Sequence, residues 1–345
     1  MKALNLCSPC VIVIILNAIF SIPTIASGQN SFDDSTWTVS RTPSGQPDLQ
    51  GIWENNNATP LERPVELEDR EFLNDEEVIE LKERADTLFA NNAGDAAFGD
   101  QVFSALITGT TKYETAGVDH ETGNYNQFWV VERDFENDNR TSLITEPSDG
   151  RLPPITLKAQ ERLNLGKTLR ERPAHGPEDR SLGERCITFF PRINAGYNSY
   201  FHILQTSGYV AILMEMGHDA RIIPLDGRPH IKDKIRQWNG DSRGYWDGDT
   251  LVVDTTNHSN KSNFKGAGEN LHLVERFTRT GPDRLHYEIT VNDPTTWASS
   301  WTAMIPLKKT DDAIFEYACH EGNYGMFNLL SGARAEEQSS TRNER

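Results

Sequence analysis

The sequence predicts a mainly β domain, an antiparallel up-and-down barrel or sandwich with peripheral N-terminal helices and a C-terminal helix. Two observations predict it. From Cys186 onward, short segments of alternating apolar and polar residues are separated by turn signals, the pattern of an antiparallel meander. Helical spacing of apolar residues is confined to the first half of the chain and to its last residues, and no internal repeat recurs at a fixed period.

The first strand is expected around Leu49-Gln50-Gly51-Ile52-Trp53, inside a leader rich in Ser, Asn, Pro and Gly. A helix follows. Asn74 caps it, Glu77 completes a capping box, and Val78, Leu81, Ala85 and Leu88 form one apolar stripe that ends near Asn91. Residues 91–150 are mixed, with extended pieces expected at 127–131 and 141–145 before the turn Pro147-Ser148-Asp149-Gly150. Thr156 caps a second helix that runs to about Arg170 and is weakened by Gly166. Residues 171–184 are charged and loop-like.

The meander then reads as strands at 186–190, 200–206, 209–215 and 219–225, with Ser207-Gly208 turning the second into the third. Residues 243–246 and 250–256 flank Asp247-Gly248, a strong hairpin signal. Residues 271–279 and 284–292 flank Gly281-Pro282-Asp283, and 301–309 and 313–318 flank Thr310-Asp311-Asp312. About ten strands result, and closure into a barrel disposes of the edges. A helix over 323–335 would plug or cap one end.

Residues 1–28 read as a secretory signal. Lys2 supplies the positive start, residues 11–20 are nearly all apolar, and Ala26 and Gly28 place small residues for cleavage near Gly28. The apolar run is shorter than the roughly 20 residues that span a bilayer. The expected organisation is therefore a signal at 1–28, an N-terminal extension at 29–184, a barrel domain with its helix at 185–335 and a disordered tail at 336–345. The product would be periplasmic or secreted.

Lys and Arg number 34 against 51 Asp and Glu, a formal charge of −17, with 37% hydrophobic residues. That balance argues against a nucleic-acid binder working through a basic surface and against a polytopic membrane protein, so no nucleic acid and no integral membrane contact are expected. Cys7 and Cys10 leave with the signal. Cys186 and Cys319 remain as an even pair in a compartment where disulfides persist, and a bridge between them would contribute up to roughly 5 kcal/mol. Two buried free thiols are the alternative.

No P-loop, no GxGxxG after a strand, no HExxH, no GxSxG and no CxxC beyond the signal is present. What remains is a density of ionisable groups near strand ends. Glu215 shares strand parity with Tyr209, Ala211 and Leu213, so an interior face would carry a carboxylate of raised pKa, suited to general acid or base work. Glu275 lies among Leu271, Leu273 and Phe277 and needs a non-local partner, with Arg221 and Arg243 as candidates. His218 beside Asp219 resembles an imidazole oriented by a carboxylate, and His320 stands next to Cys319. Arg221 and Arg243 would hold an anionic or carbonyl oxygen, and Asp241, Tyr245 and Trp246 stand in a loop and hairpin suited to substrate contacts.

Against each reading stands a structural one: a rim ion pair for Glu215, a buried ion pair for Glu275, turn chemistry for Asp241. Trp53, Trp129, Trp238, Trp246, Trp297 and Trp301 line a cavity or form core. No cofactor is predicted. A metal ion, zinc or iron, held by His218, Asp219, His230 and His320 is the weaker alternative, because no compact ligand spacing supports it.

The segments QTSGYVAILMEMGHDARIIPLDGRPH, GDSRGYWDGDTLVVDTTNHS, HLVERFTR and YACHEGNYGM resemble a family of exported, mostly uncharacterised bacterial proteins, as do PDLQGIWENNNATPLERP and RTSLITEPSDGRLPPIT upstream. The resemblance spans nearly the whole chain after the signal. It implies export and one full-length unit, and it names no reaction. The LQGIW segment followed by a meander is also similar, at the level of fold, to lipocalin-like barrels.

The functional expectation is an exported enzyme acting on a small, partly apolar molecule by acid/base chemistry, as a lyase, isomerase or hydrolase. Glu215 and Glu275 would titrate and His218 would shuttle a proton. The alternatives are a lipocalin-like binding protein that holds a hydrophobic ligand or haem without turnover, and a structural role in the envelope. The sequence leaves the oligomeric state open.

Overall fold

A computed structural model of the chain describes residues 37–89, 100–109, 138–193, 197–217 and 219–343. The signal at 1–28, the extended piece at 127–131 with Trp129, and His218 lie outside the described residues.

Ten strands form one antiparallel sheet: β1 (Gly51–Glu54), β2 (Ile144–Glu146), β3 (Tyr200–Gln205), β4 (Tyr209–Met214), β5 (Ala220–Pro224), β6 (Asp241–Asp247), β7 (Thr250–Thr256), β8 (His272–Arg279), β9 (Arg284–Asn292) and β10 (Trp301–Thr310). Their order is β5-β4-β3-β1-β10-β9-β8-β7-β6, with β2 paired to β10. The leader strand β1 is therefore not an appendage. It sits between β3 and β10 and joins two meanders into one sheet.

Among the described residues four α-helices accompany the sheet: α1 (Asp75–Phe89), α2 (Asp100–Thr108), α3 (Leu157–Glu171) and α4 (Tyr324–Asn343). The expected caps are present. The Asn74 amide donates to Glu77 Oε2 and the Glu77 amide to Asn74 Oδ1, both at 2.9 Å, and Thr156 Oγ1 accepts from the Ala159 amide at 3.1 Å. Helix α4 runs on to Asn343, into residues expected to form a tail. Among the described residues no helix is long and apolar enough to cross a membrane.

The expected closure into a barrel is corrected to an open sheet. With β5 and β6 at its two ends, a ladder between them would complete a ring in chain order, but they exchange no ladder bonds. Side chains fill the seam instead. A Cβ on Gly244 of β6 would lie 2.7 Å from Leu225 Cδ2 and 2.8 Å from Ile223 Cγ2, so apolar side chains pack directly over the inner face of β6 at this glycine. Two expected strands are also absent. Residues 186–190 leave a turn, with Cys186 at φ 56°, and run on without a ladder, and residues 313–318 are irregular and likewise unpaired in the sheet.

Strand alternation places Val210, Ile212 and Met214, Leu251 and Val253, Leu273 and Phe277, and Leu285, Tyr287, Ile289 and Val291 on one buried face. Trp53, Trp297 and Trp301 are fully buried in the same core, each side chain contributing roughly 2–3 kcal/mol by leaving water. The interior of the curled sheet is thus occupied by side chains. The buried motif after β1 is structural too: Asn55 Nδ2 donates to the Ile193 carbonyl at 2.8 Å and Arg63 Nε to Thr141 Oγ1 at 3.0 Å. Cys186 and Cys319 form the expected disulfide, with Cα atoms 5.6 Å apart.

Candidate active site

The two expected catalytic carboxylates occupy different environments. Glu275, fully buried on the inner face of β8, receives both terminal nitrogens of Arg221 from β5, at 2.6 and 2.9 Å, and the Tyr287 hydroxyl of β9 at 2.9 Å. This is the non-local partner its apolar stripe demands. Burial alone would lower the Arg221 pKa, but Glu275 reverses the sign and holds the guanidinium charged. Burial, then the Glu275 charge, keeps the Tyr287 phenol protonated.

Glu215 is 3% exposed, but not for the expected reason. On β4 the core face is Val210, Ile212 and Met214, so Glu215 has the parity of the outer face. It lies one residue past the strand and is covered by the C-terminal segment, whose Phe315 amide donates to Oε1 at 3.1 Å. Oε2 has no partner. Desolvation raises its pKa, opposed by the Phe315 amide, the Asn198 side chain and Arg192.

Asp219 does not need His218 to explain it. Its Oδ2 accepts from Asn239 Nδ2 at 2.5 Å, and Asn239 Oδ1 accepts from Thr188 Oγ1 at 2.5 Å, which ties residues 238–240 to the segment before Phe190. His320 is exposed in the turn after the disulfide.

Arg221 and Arg243, expected to act together, are on opposite faces. In the paired register Ser242, Gly244 and Trp246 face inward, whereas Asp241, Arg243 and Tyr245 face outward with Asp254 and His272. Arg243 donates to Asp241 at 2.7 Å. His230 bridges Asp241 and Asp254 at 2.9 and 2.8 Å, and His272 contacts the other Asp254 oxygen at 2.8 Å. The His272 hydrogen bond lowers the Asp254 pKa, and Asp254 raises that of His272. Tyr245 is 54% exposed, and Trp246 packs partly against the core. Among the described residues no group of three His, Cys, Asp or Glu is placed to hold a metal ion.

A concave feature lies elsewhere. A cleft of about 530 Å³ opens between α3, the loop 178–191 and residues 258–271, with walls that include Phe189, Phe190, Trp238, Phe264 and Leu271. Arg162 fixes α3 over it, donating to the Gly266 carbonyl and Thr296 Oγ1, both at 3.0 Å. The disulfide ties the 178–191 wall to the segment leading into α4, and Asn323 donates to the Glu184 carbonyl at 2.9 Å. Neither Glu215 nor Glu275 lines the cleft.

His258 does. It is 1% exposed, and its Nε2 has no hydrogen-bond partner among the described residues. Burial first, then the Arg221 and Arg236 charges, drive its pKa down to about 4 against a stabilising hydrogen bond with the Trp238 backbone. We assign the proton of the neutral ring to Nδ1, beside the Trp238 backbone, which leaves the lone pair on Nε2. Phe190 connects the cleft to the interior: its ring stacks on His258 at 6.3 Å, and the Arg221 guanidinium lies 4.2 Å from its centroid.

Sequence reasoning passed over His258 because alternation along β7 sends it outward. Asn257 reverses the direction. It adopts a left-handed conformation, φ 57°, and its amide donates to the Ile231, Lys232 and Ile235 carbonyls at 3.0 to 3.2 Å. An Asn directly after a strand, tolerant of positive φ, was the available signal. Gly240 completes the support. Its φ is +72°, and a Cβ there would lie 2.5 Å from the Thr256 carbonyl and 2.9 Å from His258 Cε1.

Comparison with protein-family models, curated proteins and solved structures finds no match for this chain.

Proposed function

We propose that this protein is an exported acid/base enzyme acting on a small, partly apolar molecule in the cleft, with His258 as the group that takes and returns a proton. The observation that carries the reading is the buried His258 Nε2, unpartnered beside aromatic walls. Buried polar atoms are nearly always hydrogen-bonded, so an unsatisfied buried nitrogen on a residue that lines a cleft marks a candidate site for a ligand. The reaction class is a lyase, isomerase or hydrolase step. Nε2 accepts a proton, the electron pair of the broken bond stays on the substrate, and the Trp238 backbone supports the imidazolium. Glu275 and Arg221 act as the floor beneath Phe190, and Glu215 pins the C-terminal segment. Export agrees with the disulfide and with the signal read in residues 1–28.

One observation favours a second reading, a binding protein for a hydrophobic ligand or haem. A neutral imidazole with a free Nε2 is also a ligand for iron. Native mass spectrometry of the oxidised protein separates the two, because a retained organic ligand or haem supports binding without turnover. The enzyme reading is tested by incubating the protein in D2O with a panel of small aryl and alkyl compounds and following deuterium uptake and product formation by NMR. Turnover that disappears in a folded His258→Asn variant supports it. Turnover that persists at the wild-type rate in that variant overturns it.

A further inference from the structure

We infer that the cleft takes an amphipathic oxyanion, an apolar body carrying a carboxylate, sulfate or phosphate, with the anionic group held at the rim by Arg185 and Lys261. The inference rests on the reading of the cleft as the functional site and adds the class of molecule that enters it.

The chain carries a net charge of −17, yet the cleft is lined by Arg170, Arg180, Arg185 and Lys261 against Glu178 and Asp179. Asp179 is already neutralised, since Arg172 lies 2.9 Å from it and the His175 amide donates to it at 2.9 Å. Arg180 spends its terminal nitrogens on the Arg170 and Arg172 carbonyls at 2.7 and 3.3 Å, and its buried Nε has no partner. Arg185 and Lys261 make no ion pair among the described residues, although acids are the commoner charge on the surface. Two cations without an ion pair among the described residues, with Arg180 beside them, line one concavity and offer a site for an oxyanion.

The rest of the cleft sets the shape of the ligand. Phe189, Phe190, Trp238, Phe264 and Leu271 offer an apolar wall, so an inorganic ion would leave most of the surface uncovered. The His258 lone pair repels an anion in direct contact. The charged group therefore sits at the rim, and a C–H or O–H of the apolar body lies over Nε2. The charges that bear on His258 are Arg221 from within, itself paired to Glu275, the exposed Arg236, and His272 beyond. An anion in the cleft opposes those cations and makes the ring a stronger base. Ligand binding would thus activate the group that acts on it.

The test is isothermal titration of the oxidised full chain with 4-phenylbutyrate, with uncharged 4-phenylbutyramide, and with phenyl sulfate and phenyl phosphate as arms that tell the anion types apart. At least one oxyanion is expected to bind about tenfold more tightly than the amide, with the margin shrinking as salt is raised. Arg185→Gln, at a partly exposed side chain with no ion pair among the described residues, is expected to abolish the margin while the circular dichroism is unchanged. Equal binding of amide and oxyanions, or an unaltered margin in both Arg185→Gln and Lys261→Gln, overturns the inference. Turnover of uncharged compounds without any anion preference would sink this inference and leave the enzyme reading standing. Anion preference without turnover would do the reverse.

Discussion

Arg221 and Glu275 close a bidentate ion pair across the inside of the sheet, joining edge strand β5 to β8 at 2.6 and 2.9 Å. The pair does what the missing β5–β6 ladder does not: it ties one edge to the far meander. Phe190, resting on the Arg221 guanidinium, carries that anchoring to the floor of the cleft.

Breaking this pair from one side strands a charge in the core. Arg221→Met and Glu275→Leu are each expected to cost about 3–5 kcal/mol in urea denaturation, and the double variant much less than their sum. Single variants as stable as wild type would show the pair to be dispensable.

His258 makes stability depend on pH in a definite direction. Its folded pKa, about 4, lies below the ordinary 6.5, so the unfolded chain binds the proton first. Stability is full above about 6.5 and falls as pH drops toward 4, by on the order of 3 kcal/mol for this group. His286, lowered by burial, adds to the trend, and His272, raised by Asp254, opposes it. Denaturation midpoints of wild type and His258→Gln across that window are expected to converge as pH falls.

Gly240→Ala places a methyl in contact with the Thr256 carbonyl and the His258 ring, at a left-handed backbone position. The expected result is a loss of about 1–3 kcal/mol and a displaced His258 resonance in NMR spectra. An unchanged resonance would mean that the turn does not position the ring.

Reduction of Cys186–Cys319 frees a segment 133 residues removed along the chain from its anchor. Up to about 5 kcal/mol of stability is expected to go, measured as Tm with and without reductant. Because the same bridge holds the 178–191 wall, binding in the cleft should weaken before the sheet unfolds.

Much of the sheet was legible in alternation and turn chemistry, from the hairpin at Gly248 to the caps at Asn74 and Thr156. The burial of Glu275 and its need for Arg221 followed from a carboxylate inside an apolar stripe. Other features were hidden because they depend on long-range packing. Glu215 is buried by a covering segment one hundred residues away, Arg221 and Arg243 fall on opposite faces, and Ile223 and Leu225 pack over Gly244. His258 escaped notice because one left-handed residue, Asn257, inverts the parity on which strand reasoning relies.

The most direct measurement is NMR of 15N-histidine-labelled protein, assigned with His258→Gln, in the absence and presence of the tightest-binding oxyanion. At pH 7 His258 is predicted to be neutral, with the proton on Nδ1 and a bare Nε2, and its titration is predicted to move to higher pH when the anion binds. A ring already charged at pH 7, a proton on Nε2 in the free protein, or a titration unmoved by every ligand that binds would contradict a cleft built around that nitrogen.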